Sequence, residues 1–246
     1  MKISTALLTT LLLATPGLAQ QRTGEIETKK EFKPVFYTVG KVIPESMQLI
    51  NMDGKKVTFK DFRGKIVVLS WYSMNCPYMV RGYAGEKKLT DIKTAFAISK
   101  NWDVKKEKPT EVIVIAINSN HTELKDAKSS GMDKKGKPIP TFATLRTHLT
   151  KNKVPYPVYI DQGNVLADLF KAKTTPHCFV IDQEGKVRYD GAIDDNPKGD
   201  KKAEEIKHFV SDAVSAVRNG QPVARPKTKP YGCSVKRIAN SKKRRR

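Results

Sequence analysis

Cysteine is scarce in this chain of 246 residues, with three in all: Cys76, Cys178 and Cys233. Three cannot build a disulfide scaffold and are too few for a four-cysteine zinc site. The four histidines, His121, His148, His177 and His208, are scattered without ligand spacing, so neither a metal nor another cofactor is expected. Beyond the first twenty residues no run is long and apolar enough to span a bilayer, which excludes a polytopic membrane protein. Acidic residues are absent from positions 221–246, where ten Lys and Arg supply nearly half of the net charge of +21. That basic tail suits weak binding to an anionic surface. With no zinc-finger or base-stacking motif beside it, nucleic acid is not an expected partner.

The first 19 residues read as an address. Lys2 gives a positive start, residues 6–14 are apolar, and Gly17-Leu18-Ala19 is a small-x-small cleavage site. The apolar run is about half the ~20 residues of a spanning helix. The expected product is an exported protein, periplasmic or secreted, whose cysteines meet an oxidising compartment. Residues 20–34 are polar and read as a flexible lead-in, 35–220 as one domain, and 221–246 as a flexible basic tail containing Cys233.

Within the body, strands alternate with helices. Residues 47–50 and 56–59 flank an Asp53-Gly54 turn and predict a hairpin. Residues 65–71 and 111–117 are continuous runs of β-formers, the pattern of buried central strands. Cys76-Pro77 predicts a helix start, continuing to about residue 100, because proline is favoured in a first helical turn. Short helices are predicted at 122–127, 142–149 and 165–170, with a Lys-, Gly- and Pro-rich loop at 128–140. Strands follow at 157–160, 177–181 and 186–189, the last two joined by a turn at 182–185. A closing helix at 203–217 carries Ile206, Phe209, Val210, Ala213, Val214 and Val217 at helical spacing, and Gly220 follows as a stop. The class is α/β, a central mixed β-sheet flanked by helices, without internal repeats.

The chemistry converges on Cys76, at the end of a buried strand and the start of a helix. Backbone N–H groups and the helix dipole there favour a thiolate, the nucleophilic form of cysteine. Ser73 precedes it by three residues, where a hydroxyl can bond a thiolate or a bound oxygen.

These features lie in an order that resembles the thioredoxin-fold redoxins of the AhpC/TSA, peroxiredoxin-like branch. The resemblance runs from about Val39 to Val217. It rests on Asp53-Gly54, Asp61-Phe-Arg-Gly-Lys65, Trp71-Tyr-Ser-Met-Asn-Cys-Pro77, Thr174-Thr-Pro-His177, Phe179-Val-Ile-Asp182 and Tyr189-Asp-Gly-Ala-Ile-Asp194. It implies a thioredoxin-like fold with Pro176 as a cis-proline beside the active site. It also implies that Trp71, Asn75, Pro77, Thr175 and Pro176 border the substrate, and that Cys76 and Ser73 are catalytic.

Two departures qualify what is carried over. Ser73 stands where disulfide reductases have the first cysteine of Cys-x-x-Cys, so neighbouring residues offer no second thiol. Leu69 stands where peroxiredoxins have a proline, and Arg81, Arg146 and Arg188 are the candidates for their arginine. Cys233, in Lys229-Pro-Tyr-Gly-Cys-Ser-Val-Lys236, resembles the Gly-Cys tail of exported peroxiredoxin-like proteins, which implies a resolving thiol. Cys178 reads as a small core residue. The substrate is then a peroxide or a protein disulfide, with an external thiol as electron donor. A non-catalytic binding protein locked by a Cys76–Cys233 disulfide fits the same residues.

Overall fold

The computed structural model describes residues 35–79, 112–125, 141–152, 154 and 156–238. The expected export signal and lead-in, most of the helix predicted after Cys76, the predicted loop at 128–140 and residues 239–246 lie outside the described residues.

Six successive buried residues form strand β3 (Ile66–Trp71), which sits inside a seven-stranded sheet. Its neighbours are β4 (Val112–Asn118), parallel, and β7 (Cys178–Ile181), antiparallel. On one side β4 continues through parallel β5 (Val158–Ile160) to the hairpin of β1 (Gln48–Asn51) and β2 (Lys56–Thr58). On the other, β7 pairs with β8 (Val187–Gly191). The order is β2-β1-β5-β4-β3-β7-β8, a mixed sheet as predicted.

Alternation along the strands divides the core into two layers. Ile66, Val68, Val114, Ala116, Cys178 and Val180 face a layer that includes Tyr72 and Cys76. Helix α3 (Phe209–Arg218) closes it with Val210, Ala213, Val214 and Val217, which recur at helical spacing. Val67, Leu69, Trp71, Ile115, Ile117 and Phe179 face the other layer, against Leu166, Ala167 and Phe170 of α2 (Val165–Leu169) and its C-cap. There Phe170 meets the rings of Tyr37, Trp71 and Phe179 at 5.2–5.5 Å. Helix α1 (Ala143–Lys151) matches the helix predicted at 142–149.

Three expectations are corrected. Residues 121–125 form turns rather than a helix, because local side chains take the backbone donors. Asn118 Oδ1 accepts from the Asn120 amide, and Asn120 Oδ1 accepts from Thr122. The closing helix begins at Phe209, with a separate 3-10 turn at Ala203–Glu205. Asp195 holds the segment between them, exchanging hydrogen bonds with Lys207 through both backbone and side chain.

The third concerns the tail. Its residues through Ile238 lie along the body. Thr228 bonds Asp190 and Ala192 beside β8, the Ala192 amide lying 2.8 Å from Thr228 Oγ1. A Cβ at Gly191 would fall 2.1 Å from the Thr228 hydroxyl, so glycine permits this approach. Further on, β9 (Cys233–Ser234) pairs antiparallel with β6 (Thr174–Thr175), and Val235 is buried. The predicted boundary at 220 therefore does not mark the end of the packed domain.

Truncating Phe170 to alanine is expected to cost about 3–5 kcal/mol, the range for a buried aromatic. Urea unfolding followed by tryptophan fluorescence checks this. A loss below about 1 kcal/mol would contradict the packing described.

Candidate redox-active site

Strand β3 ends at Trp71, and the chain turns through residues 72–75 into a helix that begins at Pro77. Cys76 occupies the position just before that helix, and its carbonyl accepts from the Met79 amide at 2.9 Å. The side chain is fully buried. Its Sγ donates to the Thr175 carbonyl at 2.8 Å, across from β3 on the loop of the cis Thr175–Pro176 bond.

The β6–β9 ladder brings in a second sulfur. Thr175 stands opposite Cys233, and the Thr175 hydroxyl donates to the Cys233 carbonyl at 3.3 Å. All three cysteines are free, and Cys233 packs against the core layer that contains Cys76. The Cys233 thiol is pushed up to about 11, first by burial and then by its neighbour Cys76. Lys236 draws it part of the way back. The dithiol missing from Ser-x-x-Cys is thus assembled from opposite ends of the domain.

The loop before Cys76 is fixed by a residue the sequence reading missed. Glu123 is 4% exposed. Its carboxylate accepts from Ser73 Oγ at 2.6 Å, the Met74 and Asn75 amides at 3.0 and 3.1 Å, and the side chains of Asn75, Asn118 and Asn120 at 2.8–3.0 Å. The available signal was the polar string Asn118-x-Asn120-x-x-Glu123 just beyond the C-terminal end of a parallel strand, where α/β sheets place their sites. This corrects the role expected of Ser73. Its one hydroxyl proton is engaged by Glu123, so Ser73 secures the loop rather than donating to an oxygen at Cys76.

The other predicted residues separate. Trp71 lies on the opposite face of the sheet from Cys76, fully buried, with Nε1 donating to Ser119 Oγ at 3.0 Å. It is a core residue, not a wall of the site, because its position in β3 has the other parity. Asn75 and Pro77 are exposed beside Cys76, Thr175 faces its sulfur, and Pro176 is cis as the resemblance implied. Cys178 is buried in β7, 3.6 Å from Ser70 Oγ.

His177 is committed elsewhere. Its Nδ1 accepts from the Lys173 amide at 3.1 Å, which leaves the proton on Nε2 to donate to Asp190 Oδ1 at 2.7 Å. It anchors the cis-proline loop to β8. Arg146 pairs with Asp53 and Arg188 with Asp182, while Arg81 lies outside the described residues. Among the described residues no cluster of three His, Cys, Asp or Glu could hold a metal ion.

A mixed sheet with a cysteine after a central strand and a cis-proline loop over its sulfur is the arrangement of a thioredoxin-like thiol oxidoreductase. The AhpC/TSA family model matches residues 39–190, and the chain belongs to that family. A curated relative, the thiol-disulfide oxidoreductase ResA of Bacillus thuringiensis subsp. konkukian, is 22% identical over 172 residues, 70% of this chain and 76% of that protein. Two solved structures share the fold. A hypothetical protein of Sinorhizobium meliloti 1021 has a TM-score of 0.57 at 22% identity, covering 85% of this chain and 97% of its own. An uncharacterized conserved protein from Geobacillus kaustophilus has a TM-score of 0.58 at 22% identity, covering 82% and 93%.

Two outcomes follow from this geometry. Glu123→Gln turns an amide NH₂ toward groups that are all donors, and is expected to destabilise the protein by about 1–3 kcal/mol in urea unfolding. Cys76→Ala removes the neighbour that, after burial, helps hold the Cys233 proton. Iodoacetamide labelling of Cys233, followed by peptide mapping against pH, should then rise at lower pH than in the parent. Superimposable profiles would mean that burial alone sets the thiol.

Proposed function

We propose that this protein is an exported thiol peroxidase that works through a Cys76–Cys233 couple. The observation that carries the reading is the β6–β9 register, which sets Cys233 opposite Thr175, whose carbonyl receives the Cys76 thiol at 2.8 Å. The Cys76 thiolate attacks one oxygen of a hydroperoxide. The O–O bond breaks, Cys76 becomes a sulfenic acid, and the departing oxygen leaves as water or alcohol after taking a proton. Cys233 then attacks the sulfenic sulfur, forming the Cys76–Cys233 disulfide, and its proton leaves with the displaced hydroxide as water. Two electrons from an external thiol donor restore both thiols.

The electrostatics suit this order of events. Burial first, and then the neighbouring Cys76, holds the proton on Cys233 and keeps it unreactive. Oxidation of Cys76 removes the second of these influences, so Cys233 ionises more readily at the point where its attack is needed. The same logic serves an exchange reaction with a disulfide substrate, and the ResA relative favours that second reading. The pattern of residues 1–19 supports export, and an oxidising compartment suits such a couple.

Non-reducing peptide mapping of the reduced protein, before and after one equivalent of hydrogen peroxide, tests the cycle. A Cys76–Cys233 link that appears with peroxide is expected. Cys76→Ser should abolish peroxide consumption, and Cys233→Ser should leave a sulfenic acid at Cys76 that dimedone traps. A link already present that resists mild reductant would mark a structural disulfide and refute the peroxidase reading.

A further inference from the structure

The tail does more than deliver a thiol. Residues 231–238 run along Thr174–Thr175 beside the Cys76 sulfur, fixed at both ends. Upstream, the Tyr231 hydroxyl donates to Asp194 and its ring lies 5.9 Å from that of Tyr78. In the middle, Cys233 and Ser234 take the edge of Thr175 and Thr174. Downstream, the amide of buried Val235 donates to the Lys173 carbonyl at 3.0 Å. Arg237 bonds Asp168 at 2.6 Å and the carbonyls of Ala167 and Ala172 at 3.0 and 2.5 Å, and the Ile238 amide bonds Asn164 Oδ1 at 2.8 Å.

The seating is close. Gly232 has φ +133°, and a Cβ there would fall 2.2 Å from the Thr175 carbonyl oxygen, the oxygen that receives the Cys76 thiol. A bulkier residue could not keep both the ladder and this approach.

We propose that residues 231–238 are a specificity-determining strap that closes Cys76 to polypeptide disulfides and reserves it for hydroperoxides, with Gly232 and Arg237 holding it shut. This rests on the two-sulfur reading above. A polypeptide bringing a disulfide to the Cys76 sulfur has to pass the edge that β9 occupies, and to do so it must lift a segment anchored on both sides. A hydroperoxide needs only to reach the sulfur. The strap therefore discriminates by size, and it keeps the resolving thiol in place while doing so.

The test uses the reduced full chain and two strap variants, Arg237→Ala and Gly232→Ala, which loosen it from opposite ends. The probes are a twelve-residue peptide whose single cysteine carries a thionitrobenzoate mixed disulfide, and the same mixed disulfide of cysteamine. Release of the coloured thiol gives both rates, and their ratio reports size discrimination separately from general thiol reactivity. Losing the Arg237 contacts should raise the open population, and with it the peptide-to-cysteamine rate ratio, by about tenfold or more. Gly232→Ala should shift the ratio in the same direction. Ratios equal across all three proteins, with the Cys76–Cys233 link still forming under peroxide, would overturn the strap alone. Failure of the parent to form that link with hydrogen peroxide would overturn the two-sulfur cycle, and the strap with it.

Discussion

The ladder between Thr174–Thr175 and Cys233–Ser234 is two residues long, yet the chemistry of the site depends on it. It sets Cys233 against Cys76 and leaves the Thr175 carbonyl as the acceptor of the Cys76 thiol. So short a ladder could not persist alone, since an isolated two-stranded pair is marginal in water. It is held from outside: Val235 is buried in the core layer of Trp71 and Phe170, and Arg237 grips the end of α2. On the other side, Thr228 is stitched to β8. Contacts remote from the sulfurs therefore fix the distance between them.

A second constraint acts on the loop that presents Cys76. A buried carboxylate is tolerated only when its acceptor capacity is filled, and Glu123 meets that condition with six donors from two segments, 73–75 and 118–120. It ties the end of β3 to the end of β4 and fixes the turn before the nucleophile. On the far side of the sulfur, His177 plays the matching part, fastening the cis-proline loop to Asp190 of β8. Cys76 thus lies between two polar clamps, one at the ends of β3 and β4 and one on edge strand β8. A thiol held this way loses little orientational freedom on reacting, and preorganisation of this kind is a principal source of rate.

Much of the fold was legible because local pattern and tertiary demand agreed. The continuous β-formers of β3 and β4 became buried parallel neighbours, and the apolar repeat of α3 became its core face. The nucleophile was legible too, since a cysteine between a buried strand and Pro77 is a local pattern. Predictions failed where side chains competed with the backbone. Asn118 and Asn120 turned a predicted helix into turns, and Asp195 cut the closing helix short. Trp71 was misplaced for a different reason: strand parity, not sequence proximity to Cys76, decides which face a residue serves.

The sequence by itself determined the class of the sheet, the position of the nucleophile and the absence of a second cysteine beside it. Each follows from periodicity or from residue type at a local spacing. Tertiary structure alone decided that residues 221–238 pack along the body and that Ser73 answers to Glu123. Those pairings join segments far apart in the chain. They depend on which strand edge is left open and which buried acceptor needs filling, and no local pattern encodes either.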